Sequence, residues 1–249
     1  MQDSDTTQLG NTANEADITK HFTLALILKR LERIEGSVLY VETHTFRPVV
    51  AIDDQRVERW RERQRQLLRG QSNCQYARIQ SPYLERSEYL CSAGIADHIL
   101  ASRPAGATEF ILCEKGTVSR GLLACYGWRS AKPVILDDNT QLPERLELER
   151  GKHSAVFALI DPYDLTRVDS RLFAHWLTGL DVATAERAPM LALVFNWRED
   201  QWPVVDGYTR VSCLSARYLK SGNPWLKLSI YANTHGLALV AGLLEEIGK

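Results

Sequence analysis

The chain lacks most of the features that would assign it to a specialised class. It has no excess charge. Its 30 Lys and Arg stand against 31 Asp and Glu, leaving a formal net charge of -1 over 249 residues. No global basic field announces a polyanionic partner, so any nucleic-acid contact has to come from local patches. The cysteines, five in all, are Cys74, Cys91, Cys113, Cys125 and Cys213. Their number is odd and no pair has C-x-x-C spacing, while Cys113, Cys125 and Cys213 stand among apolar neighbours. They read as buried thiols in a reducing compartment, not as disulfides or metal ligands. No apolar stretch is long enough to span a bilayer. Met1 to Asn14 is polar and has no apolar core of the kind a secretory signal needs. There is no internal repeat. A cytoplasmic protein without a metal and without membrane contact is the expectation.

What is present is ordinary in bulk. A hydrophobic fraction of 45% and a charged fraction of 24% belong to a common globular domain. The length allows one full α/β domain or two small ones. Residues 1–13 are rich in Gln, Asp, Thr, Asn and Gly and are expected to be a disordered tail. Residues 14–249 are expected to form a single domain, with a short Arg-rich helical insertion at about residues 53–88.

The most informative stretch is Ala155-Val156-Phe157-Ala158-Leu159-Ile160-Asp161-Pro162-Tyr163-Asp164. A continuous apolar run stops at an acid, a proline and an aromatic. The run suits a strand buried on both faces, as at the centre of a parallel sheet. Asp161, Pro162 and Tyr163 follow its carboxyl end, where such sheets bind ligands. There an acid can accept hydrogen bonds from an amine, and an aromatic can stack on a base for about 1–3 kcal/mol. The plainer alternative is a strand followed by an Asp-Pro turn.

Around this strand the pattern alternates. Asn14 can cap a helix running from Glu15 to about Ile34, with apolar residues at helical spacing. Strands are expected at Val38–Val41, Glu109–Cys113, Pro133–Leu136, Ala155–Ile160, Met190–Phe195, Arg210–Leu214 and Leu226–Ala232. Helices are expected at residues 55–69, Ile95–Ala101, Ser119–Tyr126, Ser170–Leu180 and Leu237–Ile247. The alternation predicts an α/β fold: a mostly parallel sheet with helices on both faces. The last two strands have no obvious helix between them, which fits a hairpin-like end with the final strand reversed. Seven such strands make a class I methyltransferase-like, Rossmann-like architecture.

Acids follow the strands in order: Glu42, Glu114, Asp137 with Asp138, and Asp161. In a doubly wound sheet these positions share one rim. An acid after the second strand can hold ribose hydroxyls, and one after the third can accept from an adenine amine. Strand ends also enter loops, which are polar for their own reasons. The helix over residues 55–69 carries Arg56, Arg59, Arg61, Arg63, Arg65 and Arg69 against Glu58 and Glu62. It is either a solvated face or a phosphate-binding one, with Arg56, Arg59, Arg63 and Arg65 the candidate contacts.

These motifs together resemble the RlmJ-type adenine-N6 methyltransferases, which modify large-subunit ribosomal RNA using S-adenosylmethionine. Asn14-Glu15-Ala16-Asp17-Ile18-Thr19-Lys20-His21 resembles the family's Asn-His-Ala-Asp-x-x-Lys-His segment. Val38-Leu39-Tyr40-Val41-Glu42-Thr43-His44 is similar to its first strand, Phe-Leu-Tyr-Leu-Asp-Thr-His. The segment from Tyr89 to Ala96, with Ser92 and Ile95, resembles a Tyr-Pro-Gly-Ser-Pro-x-Ile-Ala turn. Ile160-Asp161-Pro162-Tyr163-Asp164 resembles Ile-Asp-Pro-Pro-Tyr-Glu, and Ser229-Ile230-Tyr231-Ala232-Asn233 its last strand. The resemblance covers about residues 13–247. It implies S-adenosylmethionine as cofactor and RNA, in preference to DNA, as partner. Asp161, Pro162, Tyr163 and Lys20 would serve catalysis, with Tyr163 stacking on the target base. His21, Glu42, His44, Ser92, Glu114, Asp137 and Asp138 would hold the cofactor. Nothing in the sequence sets the oligomeric state, and a monomer is the working expectation.

The chain also departs from the pattern. The family continues its first strand as Thr-His-Ala-Gly-x-Gly, whose glycines let the backbone approach the cofactor. Here the loop is Thr43-His44-Thr45-Phe46-Arg47-Pro48, with no glycine and a proline that removes a donor. Glu15 replaces a histidine, and Asp-Pro-Pro-Tyr is shortened to Asp161-Pro162-Tyr163. Two functions therefore stand open: an active adenine methyltransferase, or a catalytically degenerate protein of that fold that binds a nucleic acid or a protein.

Overall fold

Two runs without a solvent-facing residue form the middle of the sheet. Every residue of β1 (Val38–Glu42) and of β6 (Ala155–Ile160) is buried. The alternation of side chains then feeds two cores. Val38, Tyr40, Phe110, Phe157, Leu159, Leu191 and Leu193 pack on one face. Leu39, Val41, Ile111, Val156, Ala158, Ile160, Ala192 and Val194 pack on the other. A strand buried on both sides has to be apolar throughout, which is why these runs were legible.

The computed structural model describes residues 13–67, 74–162, 168–196, 202–213 and 227–248. Along the chain, α1 (Glu15–Leu31) precedes β1. An insertion follows, made of β2 (Val49–Ala51), α2 (Asp54–Leu67), α3 (Gln75–Leu84) and β3 (Glu88–Leu90). Then come α4 (Ser92–Leu100), β4 (Thr108–Cys113), α5 (Thr117–Cys125), β5 (Val134–Leu136), a single 3-10 turn (Asn139–Gln141), α6 (Leu142–Glu147) and β6. The chain closes with α7 (Ser170–Ala183), β7 (Met190–Asn196), β8 (Thr209–Cys213), β9 (Lys227–Ala232) and α8 (Gly236–Gly248). The strands form a seven-stranded sheet in the order β5-β4-β1-β6-β7-β9-β8, and β2 pairs with β3 separately. β5, β4, β1, β6 and β7 run parallel, and β9 is antiparallel to both β7 and β8. This is the class I methyltransferase-like architecture, with the reversed strand lying between β7 and β8.

The expected elements are present with ends shifted by a few residues. Ala13 is buried and its N–H donates to Asp17 at 2.9 Å, so it belongs to the folded part of the chain. Residues 1–12 lie outside the described residues. α1 stops at Leu31 because Arg103 takes the carbonyls of Leu31, Glu32, Ile34 and Gly36. Four elements had no signal in the sequence. β2 and β3 are three residues each, too short for any alternation. α3 contains Pro82, and α6 buries only Leu142 and Leu146. Cys125 is exposed instead of buried, because α5 buries only Ser119 and Leu123. The Cys213 side chain lies outside the described residues.

Gly94 shows how tightly the insertion meets the rim. A Cβ there would stand 2.8 Å from the Pro48 carbonyl oxygen and 2.4 Å from Leu90 Cδ1. Only glycine lets α4 approach the loop after β1 this closely. No helix among the described residues is long and apolar enough to cross a membrane.

Candidate functional site

The strand order reverses beside β1: the chain leaves it for β4 on one side and reaches β6 on the other. Open α/β sheets bind ligands in the crevice above such a point. The register puts Glu42 level with Leu112 and Leu159, so Glu114 and Asp161 stand two residues further along the neighbouring strands. The three acids therefore cap three adjacent strand ends.

Lys20 reaches this rim from α1. It is 8% exposed. Its ammonium donates to Asp17 Oδ1 at 3.0 Å and to Asp161 Oδ2, and it lies 5.8 Å from the centre of the Phe195 ring. Burial works against the ammonium, but Asp161 and Asp17 outweigh it and hold Lys20 well above its ordinary value. For Asp161 burial outweighs the pull of Lys20, and its carboxyl sits above its ordinary value. Asp17 goes the other way: burial would raise it, yet Lys20 and His21 bring it down. The helix thus delivers one protonated lysine between two carboxylates, fixing the Asp161 side chain in place.

Glu42 is 1% exposed and accepts a hydrogen bond from the Tyr40 hydroxyl. Burial pushes its carboxyl up to about 7, against the opposing effects of Tyr40, Ser92, Thr45 and Lys20. Its Oε2 and the Thr45 Oγ1 are buried and neither completes a hydrogen bond of good geometry among the described residues, although the Ser92 and Thr45 hydroxyls lie close enough to the carboxylate to stabilise its charge. Ser92 opens α4 at the same rim and is half-buried.

His44 is fixed by three neighbours. The Asn139 side-chain amide donates to the Thr43 carbonyl at 3.4 Å, so its nitrogen faces the ring. Its 3.0 Å contact with His44 Nε2 makes that nitrogen the acceptor. Nδ1 then carries the hydrogen and donates to Thr43 Oγ1 at 2.7 Å. Trp176 stands edge-on to the ring at 5.8 Å and donates to the Asn139 carbonyl at 3.0 Å. Burial, with Lys115 nearby, lowers His44 to about 4, so it is neutral at neutral pH.

The remaining expected cofactor residues have partners within the chain. His21 is 3% exposed. Its Nδ1 lies 2.7 Å from the Tyr89 hydroxyl, and the two rings stack at 5.5 Å. Burial, helped by Lys20, drives it to about 3. The network continues from Tyr89 to Tyr76 at 3.0 Å and to Trp60 at 3.3 Å, tying α1 to the insertion. Glu114 Oε1 accepts from the Gly116 N–H at 2.6 Å, at the start of α5. Asp138 accepts from the Thr140 N–H at 2.8 Å and pairs with Lys115 at 3.1 Å. Asp137 pairs with Arg120 at 2.8 Å.

The other candidates lie on α2, beside Asp161 or outside the described residues. Arg56 pairs with Asp53 at 3.5 Å, and Arg59 is exposed on α2. The side chains of Arg63 and Arg65 are not among those described, and neither is Tyr163. Pro162 is buried. Glu109, Glu149 and His153 form the one group among the described residues whose ligand atoms could share a metal ion. It lies at the amino ends of β4 and β6, the far side of the sheet. Glu149 is already neutralised there by Arg145 at 2.6 Å and Lys152 at 3.0 Å.

The loop after β1 is braced by its neighbours. The Thr43 N–H donates to the Leu159 carbonyl at 3.1 Å, the Thr45 N–H to that of Cys113 at 2.8 Å, and the Cys91 N–H to that of Pro48 at 2.9 Å. Sequence reading missed Asp17, Asn139, Trp176 and the Tyr76–Tyr89 pair as partners. Asp17 stood within the quoted α1 motif, while the rest are joined only by tertiary contact.

No protein-family model matches the chain, and no curated protein matches it. Solved structures do. A Legionella pneumophila protein described under family DUF519 is 14% identical with a TM-score of 0.57, covering 94% of this chain and 93% of that one. A putative methyltransferase from Escherichia coli is 14% identical with a TM-score of 0.38, covering 57% of this chain and 72% of that one. The 16S rRNA (adenine(1408)-N(1))-methyltransferase from Catenulisporales acidiphilia is 11% identical with a TM-score of 0.35, covering 83% and 90%. The first of these shares the fold along nearly the whole chain, and the other two are too distant to add to it.

Proposed function

We propose that the chain is an S-adenosylmethionine-dependent methyltransferase acting on the exocyclic N6 amine of adenine in RNA. The observation that supports it best is Asp161, anchored by Lys20 at the crevice where the strand order reverses. The buried Glu42 Oε2 and Thr45 Oγ1 fit the cofactor's amino-acid portion, with Oε2 accepting from its ammonium group. Glu114 would hold the ribose, with Asp137 or Asp138 near the adenine ring. His21, His44 and Ser92 would shape the same site. When bound, S-adenosylmethionine supplies the methyl group.

The chain's own part is positioning. Lys20 takes Asp161 Oδ2 and leaves Oδ1 to receive the target amine. Oδ1 and the Pro162 carbonyl would accept the two N–H bonds of that amine. This draws the nitrogen towards tetrahedral geometry and turns its lone pair, otherwise conjugated with the base, to the methyl group. The surplus proton passes to water. Tyr163 would stack on the base, extruded or already single-stranded.

The test is transfer of labelled methyl groups to adenine-containing RNA, with N6-methyladenosine identified by mass spectrometry. Asp161→Asn is expected to cut the rate by about 10²–10³, the usual effect of losing a transition-state contact. Circular dichroism serves as the folding control. Full activity in the folded variant would overturn the assignment of Asp161, and inactivity of the unmutated protein would overturn the function.

One observation favours a second reading, a degenerate protein of this fold that only binds. The Thr43 and Thr45 amides are engaged with neighbouring strands, and the glycine-free loop ends in Pro48.

A further inference from the structure

A cleft of about 480 Å³ opens away from the rim, between α3, α4 and the segment after α5. Its walls are basic: Arg78, Arg86 and Arg129 all line it. Of these only Arg86 has an ion pair among the described residues, with Glu88 at 2.9 Å. Arg86 also lies over the Tyr83 ring at 4.9 Å. Arg129 is presented by its backbone. Its N–H, together with the N–H and hydroxyl of Ser130, donates to the fully buried Asp97. Asp97 is thereby engaged in holding the segment. In a chain of net charge -1, such clustering of cations is a local feature in want of a counter-charge.

The rest of the lining fits a nucleotide. Ile79 and Pro82 give an apolar surface. The Tyr83 hydroxyl and His98 Nε2 are 2.8 Å apart with their rings edge to face at 5.6 Å, a rigid aromatic wall. Gln75 also lines the cleft, and its Oε1 is buried with no hydrogen-bond partner among the described residues. Guanidinium groups match phosphate with paired hydrogen bonds. The cleft is also placed within reach of the rim. Ser92 and His98 lie on one helix, and six residues of helix advance by about 9 Å.

From this we propose that the cleft holds one nucleotide of a single-stranded RNA, its phosphate between Arg78 and Arg129, next to the strand that presents its adenine at Asp161. The proposal rests on the RNA reading above and extends it to a second contact point.

The experiment is fluorescence anisotropy of an end-labelled 20-nucleotide adenine-containing RNA, without S-adenosylmethionine, from 50 to 200 mM salt. Arg78→Glu and Arg129→Glu are each expected to weaken binding at least tenfold and to flatten the salt dependence by about one phosphate contact. Arg187→Glu, an exposed change elsewhere, is expected to leave affinity unchanged. Both cleft side chains are exposed, and Arg78→Ala and Arg129→Ala give milder second variants, with circular dichroism for all. Unchanged affinity and slope in folded Arg78 and Arg129 variants would overturn the proposal, as would absence of RNA binding by the unmutated protein. Because binding is read without turnover, the two ideas separate. Variants that lose affinity in a protein that methylates nothing uphold the cleft and sink the enzyme. Variants that bind normally in a working enzyme do the reverse.

Discussion

Glu42 joins burial, chemistry and stability in one side chain. It ends β1, it is 1% exposed, and its carboxyl is raised to about 7 chiefly by burial. In the unfolded chain it titrates near the ordinary glutamate value of 4.5. The folded state therefore binds the proton more tightly. The stabilising contribution of the neutral carboxyl is complete below pH 4.5 and is lost as the pH rises to about 7. The loss is of order 3 kcal/mol. Glu42→Gln stays neutral and has no such loss. Urea denaturation at pH 5 and pH 8 is expected to show the variant gaining on the unmutated protein at the higher pH. Parallel stabilities at both would show that Glu42 titrates normally. At this scale the sequence was legible in part. Lys20 and Asp161 stood in quoted motifs, but their contact spans 141 positions and no spacing rule reveals it. The acid of the α1 motif, Asp17, was quoted without a role, and its pairing with Lys20 is a matter of helix spacing seen only with hindsight of burial.

Elements were legible where burial imposes a pattern and illegible where a side chain does the work. The central strands had to be apolar on both faces, so β1, β4, β6 and β7 announced themselves. The end of α1 did not, because its terminator lies in another part of the chain. Arg103, 8% exposed, donates to the carbonyls of Leu31, Glu32, Ile34 and Gly36, and to that of Ala107. A helix end leaves such carbonyls without intrahelical partners, and one guanidinium satisfies them together. Arg103→Met keeps the apolar stem and removes every donor. The expected loss is about 2–4 kcal/mol, since hydrogen bonds to charged groups are worth about 1.5–3 kcal/mol each and do not add fully. Hydrogen exchange is expected to quicken at Glu32, Arg33 and Ile34, whose amides close the last turns of α1. Unchanged exchange there, with unchanged stability, would show that the helix end holds without Arg103. The insertion was hidden for a related reason. β3 is kept in place by Gln80, whose amide pairs with both the N–H and the carbonyl of Leu90, a substitute for a strand neighbour that no periodicity encodes.

Across the whole molecule, the alternation of elements foretold the sheet, its reversed last strand and the rim that carries the acids. The loop after β1 is where sequence and fold part company. The fold needs a turn there, and Thr43 to Pro48 makes one by bonding to the strands on either side. A cofactor needs that same turn to leave room and donors. Binding of S-adenosylmethionine at this loop would register in the free energy of the entire fold, because a ligand that binds only the native state stabilises all of it. At a cofactor concentration of 100 times the dissociation constant the gain is about 2.7 kcal/mol. For a domain of this size each kcal/mol moves the melting temperature by about 2–4 °C. Thermal unfolding with saturating S-adenosylmethionine is therefore expected to rise by about 5–10 °C, and ATP, which shares the adenosine but lacks the amino-acid portion, is expected to give less. Glu42→Gln is expected to reduce the S-adenosylmethionine shift, since Oε2 would lose its charge towards the ammonium group. A shift with neither ligand would favour the degenerate reading, with the braced loop as its cause. Equal shifts with both would point to a nucleotide-binding protein that shares the fold and not the chemistry.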